Sequence, residues 1–127
     1  MRKVIKTKLA PEPTGPYAQG VLAGNFLFST QMGICPATGE LAGNDAESQT
    51  KQAMKNLKNI LLEAEMNLAD IGKMTIYIKD MNDHLPQVNQ VCRSYFKEAP
   101  PVIDTIAATD LPIGGLVMID IVAHKHQ

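Results

Sequence analysis

Apolar and polar positions along the chain change period several times, and the changes mark out its elements. Val4 to Lys8 alternates weakly, as a short edge strand does. Ala10-Pro11-Glu12-Pro13-Thr14-Gly15-Pro16 excludes helix and central strand, because each Pro removes a donor and fixes φ. It reads as a rigid lead-in to Tyr17-Ala18-Gln19-Gly20. Val21-Leu22-Ala23, a turn at Gly24-Asn25 and Phe26-Leu27-Phe28-Ser29 read as a hairpin. Pro36-Ala37-Thr38-Gly39-Glu40 is a second turn.

Helical period follows. Asn44-Asp45-Ala46-Glu47 has the Asx-x-x-Glu form of a capping box. Ala46, Ala53, Leu57, Ile60, Leu61 and Ala64 then make one stripe, with Lys51, Lys55 and Lys58 off it as a solvated face. Asn67 is the expected left-handed C-cap. Ile71 to Asp80 predicts a strand with Met74, Ile76 and Ile78 on one face and Thr75, Tyr77 and Lys79 on the other. A second helix is expected with Asp83 as N-cap, Pro86 in its first turn, and Leu85, Val88, Cys92, Tyr95 and Phe96 on its apolar side. Pro100-Pro101 ends it. Two β-branched runs, Val102–Ala108 and Leu116–Ala123, joined through Leu111-Pro112-Ile113-Gly114-Gly115, read as two core strands.

Strands, helix, strand, helix and two strands predict an α+β chain: a single mixed sheet with two helices packed on one face. Tyr77, Met118 and Val122 alternate toward the other face, so it is part apolar, and self-association is the expected cover. At 127 residues the chain is expected to be one domain spanning 1–127. Only 5% of it is aromatic, so Val, Ile, Leu and Met must fill the core.

Charge and candidate chemistry narrow the function classes. A formal net charge of −1 with scattered Lys and Arg argues against nucleic acid as the main partner. No apolar run reaches the length of a membrane span and the basic N-terminus lacks an apolar h-region, so a cytoplasmic, non-membrane protein is expected. Cys35 and Cys92 fit no C-x-x-C spacing and read as free thiols. His124 and His126 share a strand face but lack further metal ligands, and His84 is expected to be exposed. Asp104 and Asp120 each interrupt an apolar run, and a carboxylate there is either a hydrogen-bonded anchor or a site residue.

Several stretches in order carry a family resemblance. They are Gly15-Pro16-Tyr17-Ala18-Gln19, Phe28-Ser29-Thr30-Gln31, Pro36-Ala37-Thr38-Gly39-Glu40-Leu41, Lys73 to Asp83, Val88-Asn89-Gln90-Val91 and Pro100 to Ala123. Together they resemble the RidA family, also called YjgF or liver perchloric-acid-soluble protein. The resemblance implies a chorismate-mutase-like fold, a homotrimer with three clefts between subunits, and no cofactor. It also implies hydrolysis of reactive enamines and imines to 2-oxo acids and ammonia. Carried over by position, Tyr17 and Asp120 are the catalytic candidates. Ser29, Thr30, Lys73, Asn89, Ile103 and Thr105 are the substrate-binding ones.

Two positions depart from the family pattern in what they offer a ligand. Asp120 stands where the family has Glu, a shorter side chain of the same charge. Ile103 stands where the family has the Arg that holds a substrate carboxylate. A guanidinium grips a carboxylate with two charge-assisted bonds, and truncating such a pair costs about 2–5 kcal/mol, on the order of 30- to several-thousand-fold in affinity. Asp104 has the wrong sign and points to the opposite side of the strand; Lys73 is the nearest cation, Arg93 a poorer one. The expectation is a poor deaminase for 2-iminobutanoate and 2-iminopropanoate, or a protein that binds a small metabolite without catalysis. The plain alternatives stay open: Tyr17 packed with its hydroxyl solvated, Asn89 capping a neighbouring loop, and Asp120 solvated or salt-bridged.

Overall fold

The computed structural model describes residues 2–125, which leaves His126 of the His124/His126 pair outside the described residues. Six strands form one sheet: β1 (Arg2–Ile5), β2 (Gly20–Ala23), β3 (Phe26–Met32), β4 (Ile71–Lys79), β5 (Val102–Ala108) and β6 (Val117–His124). Their spatial order is β1-β2-β3-β6-β4-β5. All neighbours are antiparallel except β4 and β5, which are parallel and joined through a helix. Helices α1 (Ala46–Glu63) and α2 (Met81–Tyr95) both lie on one face.

The expected stripes make the core. Ala53, Leu57, Ile60 and Leu61 of α1 are buried against Leu27, Met74, Ile76, Ile78, Ile119 and Ile121 of the sheet. Buried side-chain amides then pin the loops to this core. Asn56 of α1 donates to the carbonyls of Met32 (3.2 Å) and Ile34 (2.9 Å). Gln49 accepts from Leu116 N (2.8 Å) and donates to Gly43 O (3.0 Å). Gly33 lies so close under α1 that a Cβ there would collide with the Gln49 backbone.

Five local expectations are corrected. The α1 N-cap is Asp45, which accepts from Ser48 N at 2.9 Å; Glu47 then falls one position short of a capping box and pairs with Lys51 instead. The left-handed residue closing α1 is Glu65, not Asn67, because Met66 must turn inward to be buried and its N–H returns to Leu61 O. Asn67 is extended and caps the short 3-10 turn Leu68–Asp70. At α2 the left-handed Asp80 reverses the chain directly after β4, so Asp83 lies inside the first turn rather than capping it. Pro86 falls in the second turn, where the carbonyl left without its N–H is that of exposed Asn82.

The fifth correction concerns the two C-terminal runs. They are not a pair of core strands. β6 is central, between β3 and β4, but β5 is the sheet edge and is exposed along nearly its whole length. Val102 is 63% and Ile106 44% exposed in the single chain. A long apolar edge strand of this kind invites a covering partner.

Candidate functional site

Strand register decides which side chains can meet. Thr30 on β3, Asp120 on β6, Thr75 on β4 and Asp104 on β5 stand opposite one another, forming a polar row four strands wide. It lies on the face away from the helices, since the intervening residues Ile76, Ile119 and Ile121 are buried beneath them. Thr30 Oγ1 donates to Asp120 Oδ1 at 2.8 Å. Phe28 and Val122 flank the row on one side, with Met118, Tyr77 and Ile106 on the other. The row is thus a polar line between apolar flanks on the open face of the sheet.

Alternation along β4 supplies the cation. Lys73 shares the open face with Thr75 and Tyr77, beside Asp104, and the register shift between Ile71 and Lys73 turns Ile71 inward, where it is buried. Lys73 Nζ lies 2.9 Å from Asp104 Oδ2, both half exposed. Lys79 pairs with Asp110 at 3.5 Å. Both open-face lysines of β4 therefore face carboxylates, and Asp120 leaves this part of the face acidic.

The remaining candidates lie elsewhere. Ile103 and Thr105 stand opposite Met74 and Ile76, on the helix side of the β5 edge, so within one chain they share no face with Asp120. Half-buried Asn89 belongs to α2, on that same side. Ser29 is buried on the helix side, and its hydroxyl donates to Gln19 O at 2.5 Å.

Tyr17 is 73% exposed at the opposite edge of the sheet. It lines a cavity of about 950 Å³ with Arg2, Val4, Lys6, Lys8 and Glu12. Arg2 and Val4 share register with Phe26 and Phe28 through β2, which puts this cavity on the open side. Five strand intervals separate the β1 and β5 edges, about 24 Å. One chain thus brings together Thr30, Asp120 and the Lys73–Asp104 pair, and holds Tyr17 and Ile103 far apart.

Sequence reasoning missed two contributors and one pairing. Thr75 completes the polar row, and only the pairing of β4 with β6 reveals it. Asp104 is the partner of Lys73. Gln19, buried at the end of the Pro-rich segment, fixes the whole loop that carries Tyr17. It accepts from Thr7 N (2.7 Å) and donates to the carbonyls of Thr7 (2.9 Å), Ala10 (3.2 Å) and Pro11 (2.9 Å). Its signal was available: an amide next to three prolines, whose neighbourhood is rich in carbonyls and short of N–H donors.

Two thiols and two histidines complete the inventory. Cys35 and Cys92 are both free, and burial pushes the Cys92 thiol up to about 11. His124 packs edge-on against Phe26, with ring centres 4.8 Å apart. His84 is half buried rather than exposed, its Nδ1 2.7 Å from Lys79 O. Among the described residues no group of His, Cys, Asp and Glu could hold a metal, and no helix is long and apolar enough to cross a membrane.

The family model described as Endoribonuclease L-PSP matches residues 7–125. The chain belongs to that family. This is the RidA or YjgF family of the sequence resemblance, and its relatives share the fold throughout. A RutC family protein of Pyrococcus horikoshii is 43% identical over 126 residues, covering 98% of this chain and 99% of that protein. Among solved structures, TdcF of Escherichia coli with bound serine has a TM-score of 0.91 at 34% identity, covering 98% of this chain and 99% of its own. RidA from an Antarctic Psychrobacter has a TM-score of 0.92 at 31% identity, covering 97% and 99%. The single six-stranded sheet with two helices on one face is the architecture these RidA proteins share with this chain.

Proposed function

We propose that this RidA-like protein assembles as a homotrimer and holds a small metabolite in a cleft between neighbouring copies. The carrying observation is the split of its candidate residues. Tyr17 and Ile103 lie at opposite sheet edges, and the β5 edge that bears Ile103 is apolar and unpaired in the single chain. A cleft that combines them takes one edge from each of two copies. The serine bound in TdcF supports a ligand of amino-acid size.

The chemistry that fits is hydrolysis of an imine or enamine to a carbonyl compound and ammonia. Water adds across the C=N bond, its oxygen joining carbon and its protons passing to nitrogen, and ammonia leaves as the C–N bond breaks. In this reading Asp120, which accepts a hydrogen bond from Thr30, orients the water or accepts its proton. In the same reading Tyr17, brought in by a neighbouring copy, donates a hydrogen bond. Thr30, Lys73, Asn89, Ile103 and Thr105 surround the ligand, and Ser29 acts from behind by holding Gln19 O.

Ile103 sets the limit on that activity. It offers hydrocarbon to a carboxylate, and Lys73 is already paired with Asp104. Turnover of 2-iminobutanoate and 2-iminopropanoate is therefore weak, and ligands without a carboxylate are preferred. The same two observations favour a second reading, a trimer that binds a small metabolite and does no chemistry. The endoribonuclease of the family description has less support, since neither described histidine converges with the other.

Thermal-shift measurements test the ligand class. Uncharged carbonyl analogues should raise the Tm more than 2-oxobutanoate or pyruvate at equal concentration. Stronger stabilisation by the 2-oxo acids would mean that another cation anchors the carboxylate.

A further inference from the structure

A second charged surface lies on the helix layer, away from the sheet face and both sheet edges. Lys51, Lys55 and Lys58 follow one another at i, i+4 and i+7, and all three are exposed on one side of α1. They line a groove of about 680 Å³ together with Ser48, Gln52, Ser94 and Tyr95, where the C-terminal end of α2 lies beside α1. No carboxylate lines the groove, although the chain as a whole carries a formal charge of −1. Lys51 is met by Glu47 at 3.0 Å, and among the described residues no ion pair engages Lys55 or Lys58.

Like charges three and four residues apart destabilise a helix, and an anion bridging them removes that cost. Two features shape where the anion can sit. Asp45 occupies the α1 N-terminus, so the anion lies along the lysine face and not at the helix end. Arg93 in the last turn of α2 offsets the negative end of that helix beside the groove. From Lys51 to Lys58 the helix rises about 10 Å, a span that two linked phosphoryl groups can bridge.

We propose that this groove binds a phosphate-bearing small molecule. Its phosphoryl oxygens are held by the ammonium groups of Lys55, Lys58 and Lys51. A hydroxyl donor comes from Ser48, and Gln52 has its second amide proton, the first being given to Asn56 Oδ1; the Ser94 hydroxyl is committed to Val91 O. The groove shares no lining residue with the proposed cleft.

The test is an amide-resolved NMR titration of the whole protein with pyrophosphate, with inorganic phosphate and a short single-stranded RNA as separate arms. Pyrophosphate should give saturable shifts confined to residues 48–58 and 94–95. The K55Q/K58Q variant, altered only at exposed side chains, should weaken binding by about tenfold or more. Four results overturn the proposal. The first two are shifts centred instead on Arg2, Lys6 and Lys8, and unchanged binding by the variant. Failure to saturate by tens of millimolar identifies an adventitious ion only. Far tighter RNA binding at the same amides identifies a polynucleotide surface.

Discussion

At the scale of single residues, the two cysteines illustrate how position sets reactivity. The thiolate is the reacting form, and Cys92 is buried with its thiol raised from 9.0 to about 11. At pH 8 a native sample should therefore yield one fast-reacting thiol, Cys35, and a second only after denaturation; two equally fast thiols would contradict the packing of α2. The same shift has a stability consequence. Between pH 9.0 and about 11 the unfolded chain loses the Cys92 proton while the folded chain keeps it, so stability falls as pH rises through that window. Sequence spacing identified both residues as free thiols, and helical period already set Cys92 on the apolar side of α2, where it is buried. Asp120 was legible in a similar measure: its orientation followed from alternation along the strand, while the Thr75 and Thr30 neighbours required knowledge of which strands pair.

At the scale of elements, amides in the core do work that the apolar stripes do not. Asn56 is fully buried on α1 and satisfies two carbonyls of the loop leaving β3. Asn56→Leu should cost about 2–4 kcal/mol in urea unfolding, since it strands two buried acceptors at roughly 1–3 kcal/mol each and adds only hydrocarbon contact in return. A loss below about 1 kcal/mol would mean that water reaches those carbonyls. The α1 stripe itself was readable from periodicity, and the helix formed where its apolar positions begin. The cap moved by one residue because Asp45, not Asn44, faces the Ser48 amide. The shift is worth noticing for acid stability. Its hydrogen bonds with Ser48 hold the Asp45 carboxyl below its ordinary 3.8. That contribution is therefore present above about pH 3.8 and fades as pH falls through the lower folded value.

At the scale of the whole molecule, the strand order carried more information than any motif. Two similar apolar runs at the C-terminus read alike in sequence, and their fates differ because β6 is paired on both sides and β5 on one. Local pattern cannot distinguish these cases; the distinction lies in which distant strand arrives as neighbour. The exposed β5 edge predicts assembly. In solution the mass should be three times the 13.8 kDa of the chain, and Ile106→Asp should dissociate it while preserving the helical signal, because that side chain is 44% exposed in a single copy. A monomer for the unaltered chain would rule out a cleft between copies.

The proposed cleft keeps the RidA fold and lacks a carboxylate anchor at Ile103. Its most direct test measures hydrolysis of 2-iminobutanoate, generated in situ, by the native protein, by Ile103→Arg and by a RidA relative that carries the Arg. The native protein should be slower than the relative by about 30-fold or more in kcat/KM, with Ile103→Arg recovering much of the difference. Native activity equal to that of the Arg-bearing relative would mean that another group anchors the carboxylate and that Ile103 sets no limit.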